Sequence, residues 1–554
     1  MSRSLSSFLT ARVAFWLVLA WAAVLRFWQL DTIPPGLWYD EALYCLNALS
    51  IRWGHFPIFF MLDDHPVEPL YVYTLAIAFG LFGKEVIVAR AVSALWGTLA
   101  VALCYPLARR FFSPRWAIAA CWVYSVFRWP LHFSRTIFRA VTPPVFIMLV
   151  VIFFLRWRDQ RKLRDALLCG LFLGLGLYTY ISFRLVPLMW LGWVGWLLYR
   201  QELVWHRDWK HLAVIVATAF VVSLPLVADF VIHPEHFRGR IDEVSMFHDQ
   251  IIKRSPDGSE QKELIAKPLS QILTGLAENA LAVARMWTFK GDHVGRHNLP
   301  YEPVFDWISG VIFYLGVAVS LYYAASCEWA FLPLWWLAVL ACASVFSFGA
   351  PNILRMQGAI PAVVLLYVTG LRLIYKKVSL VSSARIAQVL AVCALAWFGL
   401  WQLDSYFRRF AQSPAVRNEF LTDTFYEPAR AARLLAPEVQ HLWVSQDLAN
   451  HLTFRFVTCD VPNIRAFTSL MDIPTTTPRP AAVLISMAAW QEDVRKAVDP
   501  AGTLQKLDAR LLREFSLLLP ISQNQDEWSR APWARLWILP AKHPERSALT
   551  KEGK

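Results

Sequence analysis

Residues 145–164 read VFIMLVVIFFLRWRDQRKLR: an unbroken apolar run from Val145 to Leu155 passes straight into Arg156, Arg158, Arg161, Lys162 and Arg164. Apolar runs of roughly 15–20 residues recur along the chain, and that length crosses about 30 Å of hydrocarbon. Of the 554 residues, 57% are apolar and 17% charged, against about 25% charged in an average soluble domain. Together with 27 Trp, this excludes one soluble globule and a disordered chain. The sequence is that of a polytopic helical membrane protein.

The basic stretch after Leu155 is one of four. The others gather at Arg109, Arg110 and Arg115, at Arg200, Arg207 and Lys210, and at Arg372, Lys376, Lys377 and Arg385. Such short basic loops belong on the cytoplasmic side, so the chain crosses an even number of times between successive clusters. Spans are expected near 13–30 and 88–107. Two more fall within 116–155, turning at Leu131–Pro144, and two within 166–199, turning near Tyr178–Pro187. Stretches 212–231, 305–324, 331–348, 357–374 and 385–403 bring the total to about eleven. The N-terminus is then inside and the C-terminus outside. Parity leaves no room for the short run at 69–83 to span, so it is expected to lie in the outer interface. The first apolar run continues past the roughly 7–15 residues of a signal-peptide core, which makes it an uncleaved anchor.

This topology divides the chain into a transmembrane domain, 1–403, and an extracytoplasmic part, 404–554. The outer face carries residues 31–87 as one first loop and 232–304 as a second, with an interfacial helix expected around Leu264–Phe289. In 404–554 short apolar runs (His441–Val444, Ala481–Ile485, Leu536–Leu539) alternate with helical stretches such as Glu427–Leu435, so a small α/β domain is expected. The formal charge of +13, from 54 Lys and Arg against 41 Asp and Glu, sits mainly in the short clusters. No long basic surface interleaved with aromatics appears, and no nucleic-acid partner is expected. The 8 Cys are scattered and show neither a disulfide framework nor zinc-ligand spacing.

Chemistry concentrates in the outer segments. Residues 34–44, PPGLWYDEALY, set Asp40 and Glu41 behind Trp38 and Tyr39 at the start of a helix. Two roles stay open for the acids: an N-cap with a favourable first-turn charge, or catalysis. Neighbouring residues cannot supply the opposed carboxylates of a glycosidase. Residues 131–139, LHFSRTIFR, bring His132 close to Arg135 and Arg139, whose i, i+4 spacing on one helix face suits a phosphate. Arg184, near Tyr180, and Arg355 also fall at outer ends of spans, where the positive-inside rule disfavours arginine. Anionic partners explain them; so does snorkelling, or pairing with Asp40, Asp63 or Asp64. Residues 63–68, DDHPVE, and 291–298, GDHVGRHN, hold carboxylate and imidazole groups of the type that suits Zn or Mn. Neither has a ligand spacing, so no metal ligands are assigned; the cofactor stays open, with a divalent metal as one alternative that the sequence does not require.

Together these segments resemble the GT-C membrane glycosyltransferases, which take sugars from polyprenyl-phosphate carriers. The likeness is to the branch with aminoarabinose-to-lipid A transferases and protein O-mannosyltransferases. The matching pieces are Trp38–Ala42, His65–Tyr71, Gly83-Lys84 through Arg90-Ala91, Ala108–Phe112 and Phe133-Ser134-Arg135 through Arg139. Pro351 through Arg355 and Pro361 fit more loosely. The likeness covers about residues 10–400. His65-Pro66-Val67-Glu68 departs from the commoner His-Pro-Pro pattern, and residues 404–554 match nothing.

The resemblance implies that Asp40 stands near the reacting centre, with Glu41 as the second acidic residue of the motif. The expected reaction moves a monosaccharide from a polyprenyl-phosphate donor to an acceptor hydroxyl on a lipid, glycan or protein. Asp40 would act as general base, with inversion at the anomeric carbon. Arg135 and Arg139 are expected to bind the donor phosphate, followed by Arg355, Lys84 and Arg184. Trp38, Tyr39, His65, Glu68, His132 and Tyr180 would line the pocket. The expected location is the inner membrane, with the site and the 404–554 domain on the periplasmic face. A lipid-linked sugar flippase or transporter is the main rival; such proteins place charged sites near the midplane in two related halves, whereas here the polar residues gather at one face. A noncatalytic receptor leaves Asp40, Glu41 and the outer arginines unexplained.

Overall fold

In a computed structural model, residues 2–52, 54–62, 65–254, 260–474, 480–496, 499–506, 509–520 and 528–539 are described. The chain forms two compact units, one of Met1–Leu30 with Asn47–Phe410, the other of Asp31–Leu46 with Ala411–Lys554. The first loop, expected as one piece over 31–87, is therefore divided between them. The domain boundary expected at 403/404 falls at 410/411.

The helices of the first unit are α1 (Ser2–Phe27), the end of α2 (Tyr39–Arg52), α3 (Leu70–Phe82), α4 (Val86–Ala108), α5 (Pro114–Val126), α6 (Arg128–Phe133), α7 (Pro143–Gln160) and α8 (Leu163–Gly176). They continue as α9 (Val186–Tyr199), α10 (Trp205–Ile232), α11 (Pro234–Val244), α12 (Leu269–Arg285), α13 (Trp307–Tyr323), α14 (Glu328–Val345), α15 (Ile360–Val381) and α16 (Ala384–Asp404). Two hairpins accompany them, β1 (Phe60–Leu62) with β2 (His65–Val67) and β3 (His248–Arg254) with β4 (Glu260–Ala266).

Among the described residues, 7 helical segments are long and apolar enough to cross a membrane. Arg139–Gln160 and Gln357–Val381 form the centre, with 83% and 78% of their apolar windows buried. Trp205–Ile232 has only 17% buried and turns Val216, Phe220, Val221 and Leu224 outward, as a helix does whose solvent is lipid. The protein is a multi-pass membrane protein.

Several of the eleven expected spans are shorter or broken. α5 stops after 13 residues at the extended Phe127 and resumes as α6. The amide freed by that break is satisfied inside the protein, since Arg128 N donates to Gln402 Oε1 at 3.0 Å. α8 has 14 residues and ends at Gly176, where a Cβ would strike the Phe183 ring. α13 has 17 residues and spans about 25 Å at 1.5 Å per residue; Asp306 caps it, accepting from Ile308 N and Ser309 N.

Glycines set the helix contacts. A Cβ on Gly316 of α13 would lie 1.9 Å from the Leu366 carbonyl oxygen of α15, and one on Gly370 of α15 would lie 1.9 Å from that of Ile312. Gly170 and Gly174 of α8 approach α10 in the same way, at Ile215 and Ala219. Small residues let backbones meet closely where lipid offers no hydrophobic driving force. Part of the basic clusters is paired with acids, on other helices or on the same one. Arg158 makes two bonds to Glu328, of 2.5 and 2.8 Å, and Arg161 and Arg207 both reach Asp208.

The second unit is built on β5 (Leu442–Ser445), β6 (Ile464–Phe467), β7 (Ala481–Ser486), β8 (Arg510–Pro520) and β9 (Trp528–Leu539), in the order β6-β5-β7-β9-β8. The first three strands are parallel, and β9 and β8 add antiparallel. β7 is buried throughout and packs Val483 and Ile485 against Phe467, Leu470 and Leu539. Its helices include α17 (Pro414–Glu419), α18 (Glu427–Leu435), α19 (Gln446–Asn450) and α20 (Leu452–Thr458). The expected small α/β domain is present.

Candidate active site

The Asp-Glu loop lies in the second unit. The carbonyl of Trp38 accepts the first helical bond of α2, from Ala42 N at 3.1 Å, so Trp38 occupies the N-cap position. Asp40, expected as a cap, is instead the second residue of the helix and half-buried. Glu41 is fully buried and reaches back to accept from Trp38 N at 2.8 Å, the acidic half of a capping box. The two neighbouring acids are thereby distinguished: Glu41 fastens the helix start, and Asp40 stands one residue before it.

Residues of the same unit close around the loop. A Cβ on Gly36 would lie 2.2 Å from the Phe420 carbonyl oxygen, so only glycine fits there. Thr453 Oγ1 donates to the Leu37 carbonyl at 3.1 Å. Tyr39 meets His451 edge-on, with ring centroids 5.6 Å apart, and His451 stacks on Phe425. His451 Nδ1 accepts from Thr453 N, capping α20. Burial lowers the imidazole pKa to about 4, so the ring is neutral at physiological pH.

In the first unit a buried ion-pair cluster assembles Glu68, Arg139, Arg184 and Tyr180. Arg139 Nη1 lies 3.1 Å from Glu68 Oε2, and Arg184 Nη2 lies 3.6 Å from Oε1. The Arg139 guanidinium also sits over the Tyr180 ring at 5.3 Å. Arg184 donates to the Phe237 carbonyl and stacks on Phe230 and Phe237. Within this set two guanidinium groups share one carboxylate.

Arg135 and Arg139 do not share a helix face. α6 ends at Phe133, turns follow, and Arg139 opens a 3-10 turn. Arg135 is fully buried at the C-terminal end of α1. Its Nη1 donates to the carbonyls of Leu25 and Arg26, and its Nη2 to those of Trp28 and Gln29. Arg90 donates to the Leu30 carbonyl beside them. These are carbonyls that a helix end leaves without backbone partners, and cations there complement the helix dipole.

His132 is buried and donates through Nε2 to the Arg296 carbonyl at 2.8 Å; burial lowers its pKa to about 3. Lys84 is half-buried in the turn between α3 and α4. Arg355 donates to the Phe348 carbonyl and lies over its ring. The backbone of His65 pairs with Leu62 in the first hairpin; its side chain, with Asp63 and Asp64, lies outside the described residues. In the 291–298 segment, Asp292 accepts from His297 Nδ1, Val294 N and Ile353 N. Burial alone would raise its pKa, but these donors hold it below the usual carboxylate range. Among the described residues no three His, Cys, Asp or Glu groups converge on a metal-sized site.

Sequence reasoning did not single out His451, Thr453 or Gly36, although the first two flank the candidate loop. His451 and Thr453 sit in the segment without family likeness, where no local pattern marks them, and the close approach that Gly36 permits is not written in its neighbours. Nor did it find Glu302, which bridges Arg128 and Arg409 at 2.8 and 2.7 Å across more than a hundred residues.

The fold of this chain is similar to that of ArnT from Cupriavidus metallidurans. Its apo crystal structure matches with a TM-score of 0.51 and 14% identity, over 96% of this chain and 98% of that one. The structure of that protein bound to undecaprenyl phosphate matches with a TM-score of 0.51 and 13% identity, again over 96% and 98%. The chain has the ArnT fold. Residues 64–227 also match the model of the dolichyl-phosphate-mannose-protein mannosyltransferase family. No curated protein matches. The GT-C architecture expected from the sequence is thus present, and the ArnT fold extends over residues 404–554, where the sequence showed no likeness.

Proposed function

We propose that the protein is a membrane glycosyltransferase that moves a monosaccharide from a polyprenyl-phosphate carrier to an acceptor hydroxyl. What carries the reading is the ArnT fold over 96% of the chain, in a protein that places an acidic helix start at residue 40 of its first loop. ArnT was solved with undecaprenyl phosphate, and the family matched by 64–227 is described as using dolichyl-phosphate-mannose. Both support a donor whose lipid tail lies in the bilayer.

Asp40 accepts the proton of the acceptor hydroxyl as that oxygen attacks the anomeric carbon. The bond from that carbon to the phosphate oxygen breaks, and polyprenyl phosphate leaves as an anion. A single displacement inverts the anomeric centre. Arg139 and Arg184 stabilise the departing phosphate, with Lys84 and Arg355 in support. Arg135 contributes chiefly by holding the end of α1. The reaction face is the one opposite the basic loops, periplasmic if the membrane is a bacterial inner membrane.

The test is sugar transfer by the purified protein from labelled polyprenyl-phosphate sugars, mannose and aminoarabinose donors included. Wild type transfers; Asp40→Asn, correctly inserted, loses on the order of 100-fold or more, the usual weight of a general base. Wild-type turnover by Asp40→Asn ends the base assignment, and movement of the intact donor across vesicles without transfer favours the flippase.

A further inference from the structure

The contacts around the first loop have a pattern beyond ordinary packing. Gly36 is pressed on the Phe420 carbonyl, Leu37 accepts from Thr453, Trp38 donates to Glu41, and Tyr39 rests on His451. Four consecutive residues are fixed, each by a different partner, immediately before Asp40. Three of the partners come from Ala411–Lys554, although the sequence distance is large: Leu37 and Thr453 are 416 residues apart. Thr453 is completely buried. Its backbone N–H is taken by His451 Nδ1, so its hydroxyl and the ring on Tyr39 form one connected support.

We propose that the sheet unit is a clamp for the first loop, with Thr453 and His451 as positioning residues for Asp40. The proposal rests on Asp40 being the general base. A base acts when it lies within about 2.6–3.2 Å of the oxygen whose proton it takes, or reaches it through one water, and a shift of about 1 Å costs on the order of 100-fold in rate. The clamp holds the Leu37 backbone, three residues upstream, against a shift of that kind. The clamp gives residues 411–554 a task in the reaction without contact with substrate.

The experiment compares full-length wild type, Thr453→Val, Thr453→Ser and Asp40→Asn in nanodiscs. Thr453→Val keeps the shape and removes the hydroxyl; Thr453→Ser keeps the hydroxyl. Two readouts are taken: kcat and donor KM with the labelled polyprenyl-phosphate sugar that wild type uses, and amide hydrogen exchange of residues 31–46 without any ligand. For Thr453→Val, kcat falls by about 30-fold or more while donor KM stays within about twofold. Exchange in 31–46 rises, and Thr453→Ser restores both. Thr453→Val with wild-type kcat beside an inactive Asp40→Asn overturns the clamp and leaves the base standing. Active Asp40→Asn removes the base and the clamp's purpose together. Unchanged exchange in Thr453→Val overturns the clamp whatever the activity.

Discussion

Glu68 is the residue on which the buried cluster of the first unit depends. Replacing it by Gln leaves Arg139 and Arg184 without the carboxylate they share. Removing one partner of a buried pair costs about 3–5 kcal/mol, because the remaining charge stays desolvated. Thermal unfolding of Glu68→Gln in detergent should therefore begin well below wild type, with Glu68→Asp between them; an unchanged midpoint would show that the pair is not what holds the site. A second residue-scale expectation concerns pH. Burial lowers the pKa of His451 to about 4 and that of His132 to about 3, against about 6.5 in the unfolded chain. Between those values the unfolded chain binds more protons than the folded one, so stability rises with pH up to about 6.5 and then levels. His451→Phe keeps a ring on Tyr39 and cannot titrate. Its stability-versus-pH curve should be flatter than that of wild type from about pH 4 to 6.5, and identical slopes would contradict a neutral buried imidazole.

At the scale of elements, the meeting of α13 and α15 is the sharpest case. Gly370→Ala places a methyl group 1.9 Å from the Ile312 carbonyl oxygen, a backbone atom that cannot move alone. Overpacking of this kind costs about 1–3 kcal/mol, so Gly370→Ala should insert normally and unfold at lower temperature. Gly195→Ala, with open space at its Cβ, should not lower the midpoint, since Ala favours a helix interior over Gly. Features written in local pattern were legible in the sequence: the apolar run of α7, the short helix Leu70–Phe82, the helix Glu427–Leu435, and the runs that became β5, β7 and β9. The failures were of a different kind. The i, i+4 spacing of Arg135 and Arg139 carries a face only while the helix continues, and α6 ends at Phe133. Asp40 looks like a cap by residue type, but the first helical bond goes to Trp38. The roles of Thr453 and Glu302 depend on contacts across more than a hundred residues, for which periodicity holds no information.

For the whole molecule, the decisive property is which side of the membrane each end of the bundle faces. Four basic clusters stand between apolar segments, and the rule that retains Lys and Arg in the cytoplasm places all of them on one side. Acids such as Asp208 and Glu328 pair with part of these clusters, yet acidic residues contribute little to orientation, so the assignment survives the pairing. Asp447 lies in the sheet unit and Lys377 near the end of α15, and both are exposed. In a cysteine-free background, Asp447→Cys should react with a membrane-impermeant maleimide in intact spheroplasts, and Lys377→Cys only after permeabilisation. The reverse pattern would put residues 411–554 in the cytoplasm. A lipid-linked donor presented at the opposite surface would then never meet Asp40, and the transferase reading would fail on topology alone, before any catalytic residue was tested.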